Sequence, residues 1–271
     1  REGGKIDMAF KIIVCAKQVP DTNVIKINPA TGTLIREGVP SILNHDDANA
    51  LELALEIKDK YPDTYITVIT MGPPQANDLL FECLAMGADD GILVSDRAVG
   101  GSDTWATSNT LKAAIDKVGD FDLLLAGRQA IDGDTAQVGP QLAEKLGIPQ
   151  VTYVEKFEMA ENKKDITVNR KLEDGYETIK IQTPCMLTAI KELNTPRYMY
   201  MSGIFAEKGM KTWNAKDIAV DLTKVGLEAS PTNVFRSFTP APKGHGVIIE
   251  GDTEKEIADG LLVNLKGKHI I

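Results

Sequence analysis

The sequence is poor in the features that mark several common protein classes. Its three cysteines, Cys15, Cys83 and Cys185, lie far apart, so they do not form a disulfide framework. No apolar run approaches the roughly 18 residues of a membrane span, and no apolar signal segment follows the N-terminus. These absences favour a cytoplasmic protein that is not inserted in a membrane.

Positive charge and histidine are also scarce. Thirty Lys and Arg residues face 39 Asp and Glu residues, which gives a formal net charge of -9. This balance excludes a nucleic-acid-binding protein, because such proteins need a basic face to neutralise phosphates. His45, His245 and His269 have no cysteine or carboxylate neighbours at ligand spacing, so no metal site is expected.

The common nucleotide-binding fingerprints are missing as well. No G-x-G-x-x-G follows the first strand-like run, and no G-x-x-x-x-G-K-[ST] occurs anywhere. No Ser-x-Gly elbow or Cys/His pair indicates a nucleophile, so no catalytic side chain is predicted. Ordinary dehydrogenases and kinases are therefore disfavoured.

What the sequence does contain is a regular alternation of apolar runs and helical periods. Residues 10–16, 65–71, 91–95 and 121–126 are short buried-strand patterns, and residues 46–61, 76–86 and 102–118 have helical spacing between them. The alternation predicts an α/β fold with an open, mostly parallel sheet flanked by helices. Ligands of such sheets bind beyond the carboxyl ends of the strands.

The second half of the sequence has a different pattern. Residues 151–159, 165–172 and 176–190 alternate like antiparallel strands, with a hairpin signal at residues 173–175. We therefore expect a nucleotide-binding α/β domain over residues 8–192 with an antiparallel extension. Residues 193–271 are predicted to form a C-terminal arm on another chain, with a last helix at residues 252–268. Residues 1–7 are interpreted as a remnant of the expression vector.

The strongest local signal is a polar loop, GRQAIDGDTAQVGP (residues 127–140), which follows a strand directly. Its glycines allow backbone amides to approach an anion, and a helix starting near Val138 would point its positive end at the same place. Asp132 and Asp134 are suited to accept from ribose hydroxyls. The loop thus predicts a diphosphate site that lacks a lysine. The alternative is a βα loop whose polar groups satisfy only one another.

A second candidate is GGSDTWATS (residues 100–108). Thr104 and Thr107 lie one turn apart at the start of a helix, so both can face one edge of a ligand. The alternative is an ordinary helix start in which Ser102 or Asp103 is the cap and the threonines are solvated.

Taken together, these stretches resemble the β subunit of electron-transfer flavoproteins, along nearly the whole chain from Met8. The opening KIIVCAKQVPDT, the MGPP turn at Met71 and the polar loop all look like that family. Its signature region is matched by residues 168–188, where the family's spacing is kept by Arg170, Glu173, Asp174, Gly175, Glu177, Ile179 and Pro184.

The resemblance implies an adenine-nucleotide α-hydrolase-like fold and a heterodimer with a larger α subunit that carries one FAD. The β subunit then holds a second nucleotide in the crevice at the carboxyl ends of its strands. In the respiratory branch this nucleotide is structural AMP. In the bifurcating branch of anaerobic metabolism it is a second FAD, reduced by NADH, which sends one electron to a high-potential acceptor and one to ferredoxin or flavodoxin.

Two departures from the AMP branch favour the bifurcating branch. That branch typically has three consecutive acids where this chain has Gly133 between Asp132 and Asp134, and SDRAVGGSDTWAT resembles the flavin-ring loop. The resemblance implies that Thr104 and Thr107 hydrogen-bond the isoalloxazine ring of the flavin, with Asp103 as a weaker candidate for the same role. The cofactor-binding residues it implies are Cys15, Ala16, Met71, Asp103, Thr104, Thr107, Gly127, Arg128, Gln129, Asp132, Gly133, Asp134, Thr135, Ala136, Gln137 and Val138.

The resemblance also implies partners. KELNTPRYMYMSGIF resembles the family's recognition loop, in which Leu193 would dock into a partner dehydrogenase. We expect that partner to be an acyl-CoA dehydrogenase or a lactate-type flavin dehydrogenase, and the C-terminal arm to pack on the α subunit. Two alternatives stay open: a β subunit that holds AMP, and a plain adenine-nucleotide sensor on a related scaffold.

Overall fold

The computed structural model describes residues 9–21, 26–27, 34–35, 40–207, 209–235, 244 and 246–271. Residues 1–7, Met8 and His245 from the sequence analysis lie outside the described residues. Thirteen strands occur in the described part: β1 Lys11–Cys15, β2 Gln18–Pro20, β3 Lys26–Ile27, β4 Leu34–Ile35, β5 Ser41–Leu43, β6 Tyr65–Met71, β7 Asp90–Val94, β8 Leu123–Gly127, β9 Gln150–Met159, β10 Asp165–Lys171, β11 Tyr176–Gln182, β12 Cys185–Ala189 and β13 Met210–Trp213.

Within the described ranges, seven α-helices lie between these strands or follow them. Their bounds are α1 His45–Lys60, α2 Asn77–Met86, α3 Thr104–Val118, α4 Val138–Leu146, α5 Met201–Phe205, α6 Gly226–Ala229 and α7 Glu254–Gly267. In the described residues, no helix has the length and apolar character needed to cross a membrane.

Nine of the described strands form one sheet in the order β11-β10-β9-β12-β8-β1-β6-β7-β13. All neighbours from β9 to β13 run parallel, whereas β10 pairs antiparallel with β9 and with β11. The predicted α/β fold with a mostly parallel sheet and an antiparallel extension is therefore confirmed.

Helices cover both faces of the sheet. On β1, Ile12 and Val14 belong to the core under α1 and α2, while Ile13 and Cys15 belong to the core under α3 and α4. A strand buried on both faces needs apolar residues at every position, which is why the first strands show runs rather than alternation. The predicted helix ends are also found, since α2 stops at Gly87 and α3 at Gly119, both with positive φ.

One strand prediction was wrong. The sequence treats residues 176–190 as one antiparallel strand, but the chain turns at Pro184 and separates β11 from β12. Proline has no backbone N–H and cannot continue a ladder. The buried run of β12 then inserts parallel between β8 and β9.

The region after residue 192 also holds structure that the sequence analysis did not anticipate. β13 pairs with β7 and becomes the last strand of the sheet. The predicted last helix is found as α7, which begins with a capping box formed by Thr253 and Glu256. The boundary at residue 193 and the packing of the arm on another subunit stay predictions.

The split of residues 176–190 gives a stability prediction. Leu187 on β12 is 1% exposed in the central sheet, so Leu187→Ala is expected to lower the free energy of unfolding by about 3 kcal/mol. Ile179→Ala on the edge strand β11, where the side chain is only half-buried, is expected to cost less than half as much. Urea unfolding of both variants measures this, and equal losses would contradict the assignment of β12 to the centre.

Candidate functional site

The candidate site lies where the order of the sheet changes direction. From β1, the chain proceeds through β6 and β7 on one side and later through β8 and β12 on the other. Cys15 on β1 is in register with Ile69 on β6 and Ala126 on β8, so the carboxyl ends of these strands share one edge. A crevice at such a switch point is the usual ligand site of open α/β sheets.

A buried carboxylate joins the two strands that diverge at this crevice. Asp47, in the first turn of α1, accepts 2.9 Å from the Lys17 backbone N–H and 2.7 Å from the Gly127 backbone N–H. A Cβ at Gly127 would lie 2.5 Å from the Asp47 Oδ1. The Gly127 amide therefore binds Asp47, whereas the sequence interpretation has it facing a ligand.

Burial also changes the chemistry of two groups at this edge. It raises the pKa of Asp47 to about 7, although the hydrogen bonds from the Lys17 and Gly127 amides oppose the rise. Burial also raises the pKa of Cys15 to about 12, so this thiol stays neutral and can only line the crevice. Ala16 follows directly, and its amide binds the Ile69 carbonyl on β6.

Asn44 fixes the start of the polar loop (residues 127–140). Its side-chain amide donates 2.8 Å to the Gln129 carbonyl, and its oxygen accepts 3.1 Å from the Ile131 N–H. Asn44 precedes α1 but makes no side-chain cap to that helix. Its polar groups hold the loop instead.

Inside the polar loop, the backbone is strained in two places. Asp134 and Ala136 have φ values of 48° and 52°, a left-handed conformation that is uncommon for residues other than glycine. Gln129 holds the first of them, since its amide donates 2.8 Å to the Asp134 carboxylate. The exposed Thr135 lies between the two strained residues.

Gly133 differs from the other glycines of the loop. A Cβ at Gly127 or Gly139 would clash with neighbouring protein atoms, but a Cβ at Gly133 would meet no atom within 4 Å. Its φ also lies outside the left-handed region. Neither packing nor backbone conformation requires glycine at this position, so the space beside it is available to a ligand.

The structure supplies the lysine that the polar loop lacks. The Lys17 ammonium, from the segment after β1, lies 2.7 Å from the Asp132 Oδ1 and 2.9 Å from its Oδ2. The two residues are 115 positions apart. The expected site without a lysine is therefore corrected to one with a lysine at its rim.

The predicted ring-binding threonine lies in a hydrogen-bonded chain. Thr104 donates 2.8 Å to the Gln137 side-chain oxygen and accepts from Gln141, whose own oxygen accepts from the buried Ser108. The chain joins the start of α3 to the start of α4. Thr107 lies half-buried one turn further along α3, and Val138 is the first residue of α4.

Two other predicted cofactor residues have contacts within the protein. Both carboxylate oxygens of Asp103 are engaged, one by the Ala106 N–H as the cap of α3 and the other by the Thr232 N–H. Arg128 lies 3.3 Å from Asp46 and over the ring of Tyr153, 5.6 Å from its centroid. Met71 ends β6 and packs against the core under α3 and α4.

The predicted docking residue Leu193 is half-buried rather than free. It packs against the main core and lines a cavity of about 540 Å³ that Ile57, Tyr61 and Phe157 also line. Leu193 and the seven residues after it are called the docking segment (residues 193–200). Arg197 attaches this segment to α1, because its guanidinium donates to the buried Glu52 at 2.8–3.0 Å and to Asp59 at 2.7 Å.

Sequence reasoning missed Lys17, Asn44, Asp47 and Gln141 as parts of the site. The available signal was NHDDAN (residues 44–49), five polar side chains around one alanine at the start of a helix that is otherwise apolar on its inner face. That pattern also fits ordinary helix capping, so it does not by itself indicate a site.

Comparison with known proteins gives consistent matches. Residues 31–222 match the model of the electron transfer flavoprotein domain. The chain is 62% identical to the caffeyl-CoA reductase-Etf complex subunit CarD of Acetobacterium woodii over 264 residues, which cover 97% of this chain and 100% of that protein. It is 55% identical to the electron transfer flavoprotein subunit beta of Clostridium acetobutylicum over 264 residues, with the same coverage. It is 47% identical to the acryloyl-CoA reductase electron transfer subunit gamma of Anaerotignum propionicum over 272 residues, again with that coverage.

The buried Asp47 predicts a pH-dependent stability. Because its pKa rises from 3.8 in the unfolded chain to about 7 in the folded chain, the folded state binds the extra proton between these values. Its stability contribution is complete below pH 3.8 and is lost as the pH rises through about 7. Wild-type protein should therefore lose more unfolding free energy between pH 5 and pH 8 than Asp47→Asn, as measured by urea titration. Parallel pH profiles would contradict the assignment.

Proposed function

The chain belongs to the electron transfer flavoprotein family as a β subunit, and from this premise we propose that its crevice binds a second FAD. A flavin held there would supply all of the redox chemistry. In this proposal it would take hydride from NADH and give up its two electrons singly, one through the FAD of an α subunit to a flavoprotein dehydrogenase and the other to ferredoxin or flavodoxin.

The observation that carries the proposal is the open position at Gly133. An exposed glycine that neither packing nor φ requires, between two acids of a strained loop, leaves room for a second phosphate. The N-terminus of α4 lies at the end of the loop, and its first-turn amides favour an anion. These features fit a dinucleotide better than a mononucleotide, whose single phosphate has no need of the extra space.

The chain's own residues position the cofactor in this proposal. Cys15, Ala16 and Met71 line the adenosine end, and Asp132 and Asp134 are available to ribose hydroxyls. At the ring end, Gln141 donates to the Thr104 oxygen and thereby directs the Thr104 hydroxyl toward Gln137. Because Thr104 has a single hydroxyl proton, a ring acceptor in this position would take that proton in place of the Gln137 oxygen.

The partner proposal draws on the relatives and on the docking segment. Two of the relatives are named for a caffeyl-CoA and an acryloyl-CoA reductase, which supports an acyl-CoA dehydrogenase over a lactate-type enzyme as the partner here. The segment that carries Leu193 is held on α1 by Arg197 and by Asn194, whose side-chain amide accepts from the Asn49 side chain and donates to the Asn49 carbonyl. A segment fixed in this way loses little freedom on docking.

Flavin content tests the cofactor proposal directly. We expect two FAD molecules per heterodimer and full bleaching of both by NADH, measured by the absorbance spectrum and by identification of the extracted nucleotides. AMP with a single FAD would contradict it and favour the non-bifurcating alternative. A colourless chain that is stable without a larger subunit would favour the sensor.

Gly133 variants test the position of the phosphates. Gly133→Asp is expected to lower FAD retention by about tenfold or more, because the added carboxylate meets the diphosphate both sterically and electrostatically. Gly133→Ala is the matched control and should retain far more FAD, because its methyl group is small and uncharged and meets no protein atom within 4 Å. Full retention by the Asp variant would place the phosphates elsewhere.

Leu193→Ala tests docking. We expect slower reduction of the acyl-CoA dehydrogenase flavin, by about tenfold, because an apolar anchor at an interface is lost. NADH reduction of the β-subunit flavin should survive. Leu172→Ala is the control, because Leu172 is 42% exposed and lies outside the docking segment. Since Leu193 also contacts the core, thermal unfolding is measured alongside, and unchanged coupling would refute the anchor role.

A further inference from the structure

The polar loop presents an electrostatic difficulty for any phosphate ligand. Asp132 and Asp134 are both exposed and lie on either side of Gly133, where the phosphates are proposed to bind. A carboxylate within about 5 Å of a phosphate repels it strongly when solvent is partly excluded. The backbone amides of the loop and of α4 carry only partial charges, so the site needs a full positive charge nearby.

Lys17 is placed to supply this charge. Its backbone N–H is fixed by Asp47 at the end of β1, and its side chain crosses to the polar loop to reach both oxygens of Asp132. The ammonium is not enclosed there, because the Lys17 side chain is 48% exposed and that of Asp132 is 29% exposed. It can therefore contact a ligand while it stays beside the carboxylate.

Arg128, the basic residue within the polar loop itself, makes its contacts away from the two acids. The Arg128 guanidinium pairs with Asp46 and lies over Tyr153, while its backbone N–H binds the Ala189 carbonyl on β12. Asp134 receives its hydrogen bond from the neutral amide of Gln129. Among the contacts of the described residues, the basic side chain that reaches the acidic part of the loop at Asp132 is therefore Lys17.

We propose that Lys17 selects for the phosphate groups of the bound nucleotide. In the free chain it neutralises Asp132, and in the complex its ammonium also binds phosphate oxygen. The inference rests on the proposed function, because it presupposes a nucleotide in the crevice, but it applies to AMP as well as to FAD.

The test compares ligands that differ only in phosphate number. Adenosine, AMP and ADP are titrated calorimetrically into the heterodimer after the β-chain nucleotide has been dialysed away and the α-subunit flavin retained. Lys17→Met keeps the apolar stem and removes the charge. We expect about tenfold weaker binding of AMP and ADP, as for loss of a charge-assisted hydrogen bond, and unchanged binding of adenosine.

Controls and a second variant make the outcome decisive. Lys112→Met removes a lysine from an exposed pair with Asp116 on α3 and should leave all three affinities unchanged. Adding Asp132→Asn to Lys17→Met should restore part of the AMP and ADP affinity, because the uncompensated carboxylate is removed. A double variant no better than Lys17→Met would overturn the neutralising role.

Two further results would overturn the proposal as a whole. Equal losses for adenosine and ADP would mean that Lys17 only holds the loop in shape, and no loss for any ligand would mean that it does not contribute. Failure of the FAD proposal is seen separately, as AMP extracted from the wild-type heterodimer, and it leaves the comparison of AMP with adenosine intact.

Discussion

The buried Asp47 carboxylate is the interaction on which the crevice depends. It bonds the backbone amides at the ends of β1 and β8, the two strands from which the chain proceeds in opposite directions. If these hydrogen bonds were not formed, the two amides and the carboxylate would be buried without partners. Burying unpaired polar groups costs more free energy than the hydrogen bonds themselves contribute. Gly127 is required because any side chain would displace this carboxylate. The same contacts fix the backbone of Lys17 on one side of the crevice and the first residue of the polar loop on the other.

Helix α1 connects the two functions proposed for this chain. Its N-terminal end holds the crevice through Asn44 and Asp47, and its later turns hold the docking segment through Glu52 and Asp59. The helix is 16 residues long, which corresponds to about 24 Å at the rise of an α-helix. Its inner face is buried against the sheet, and a close-packed interior resists deformation. The proposed nucleotide site and the proposed partner surface are therefore both attached to a single element.

The sequence predicted those features that depend on local pattern. The parallel strands and their helices were readable because a strand buried on both faces must be apolar throughout, and because glycine ends the helices. β12 was misassigned because Pro184 interrupts a pattern that looks continuous. The contact of Lys17 with Asp132 joins residues 115 positions apart, and no local pattern encodes such a distance. Asp47 was overlooked for a different reason, since an acid at a helix start looks the same whether it faces solvent or two buried amides.

The strained backbone of the polar loop is consistent with a site formed before its ligand arrives. Left-handed conformations at Asp134 and Ala136 cost about 1 kcal/mol or more each, and an unattached loop would relax out of them. This loop is attached at both ends, by Asn44 near its start and by Thr104 with Gln137 before α4. Because folding of the rest of the chain supplies these contacts, the strain is offset by folding and not by binding. A ligand bound there would meet a loop that is already ordered, and its binding energy would not be reduced by the ordering of the loop.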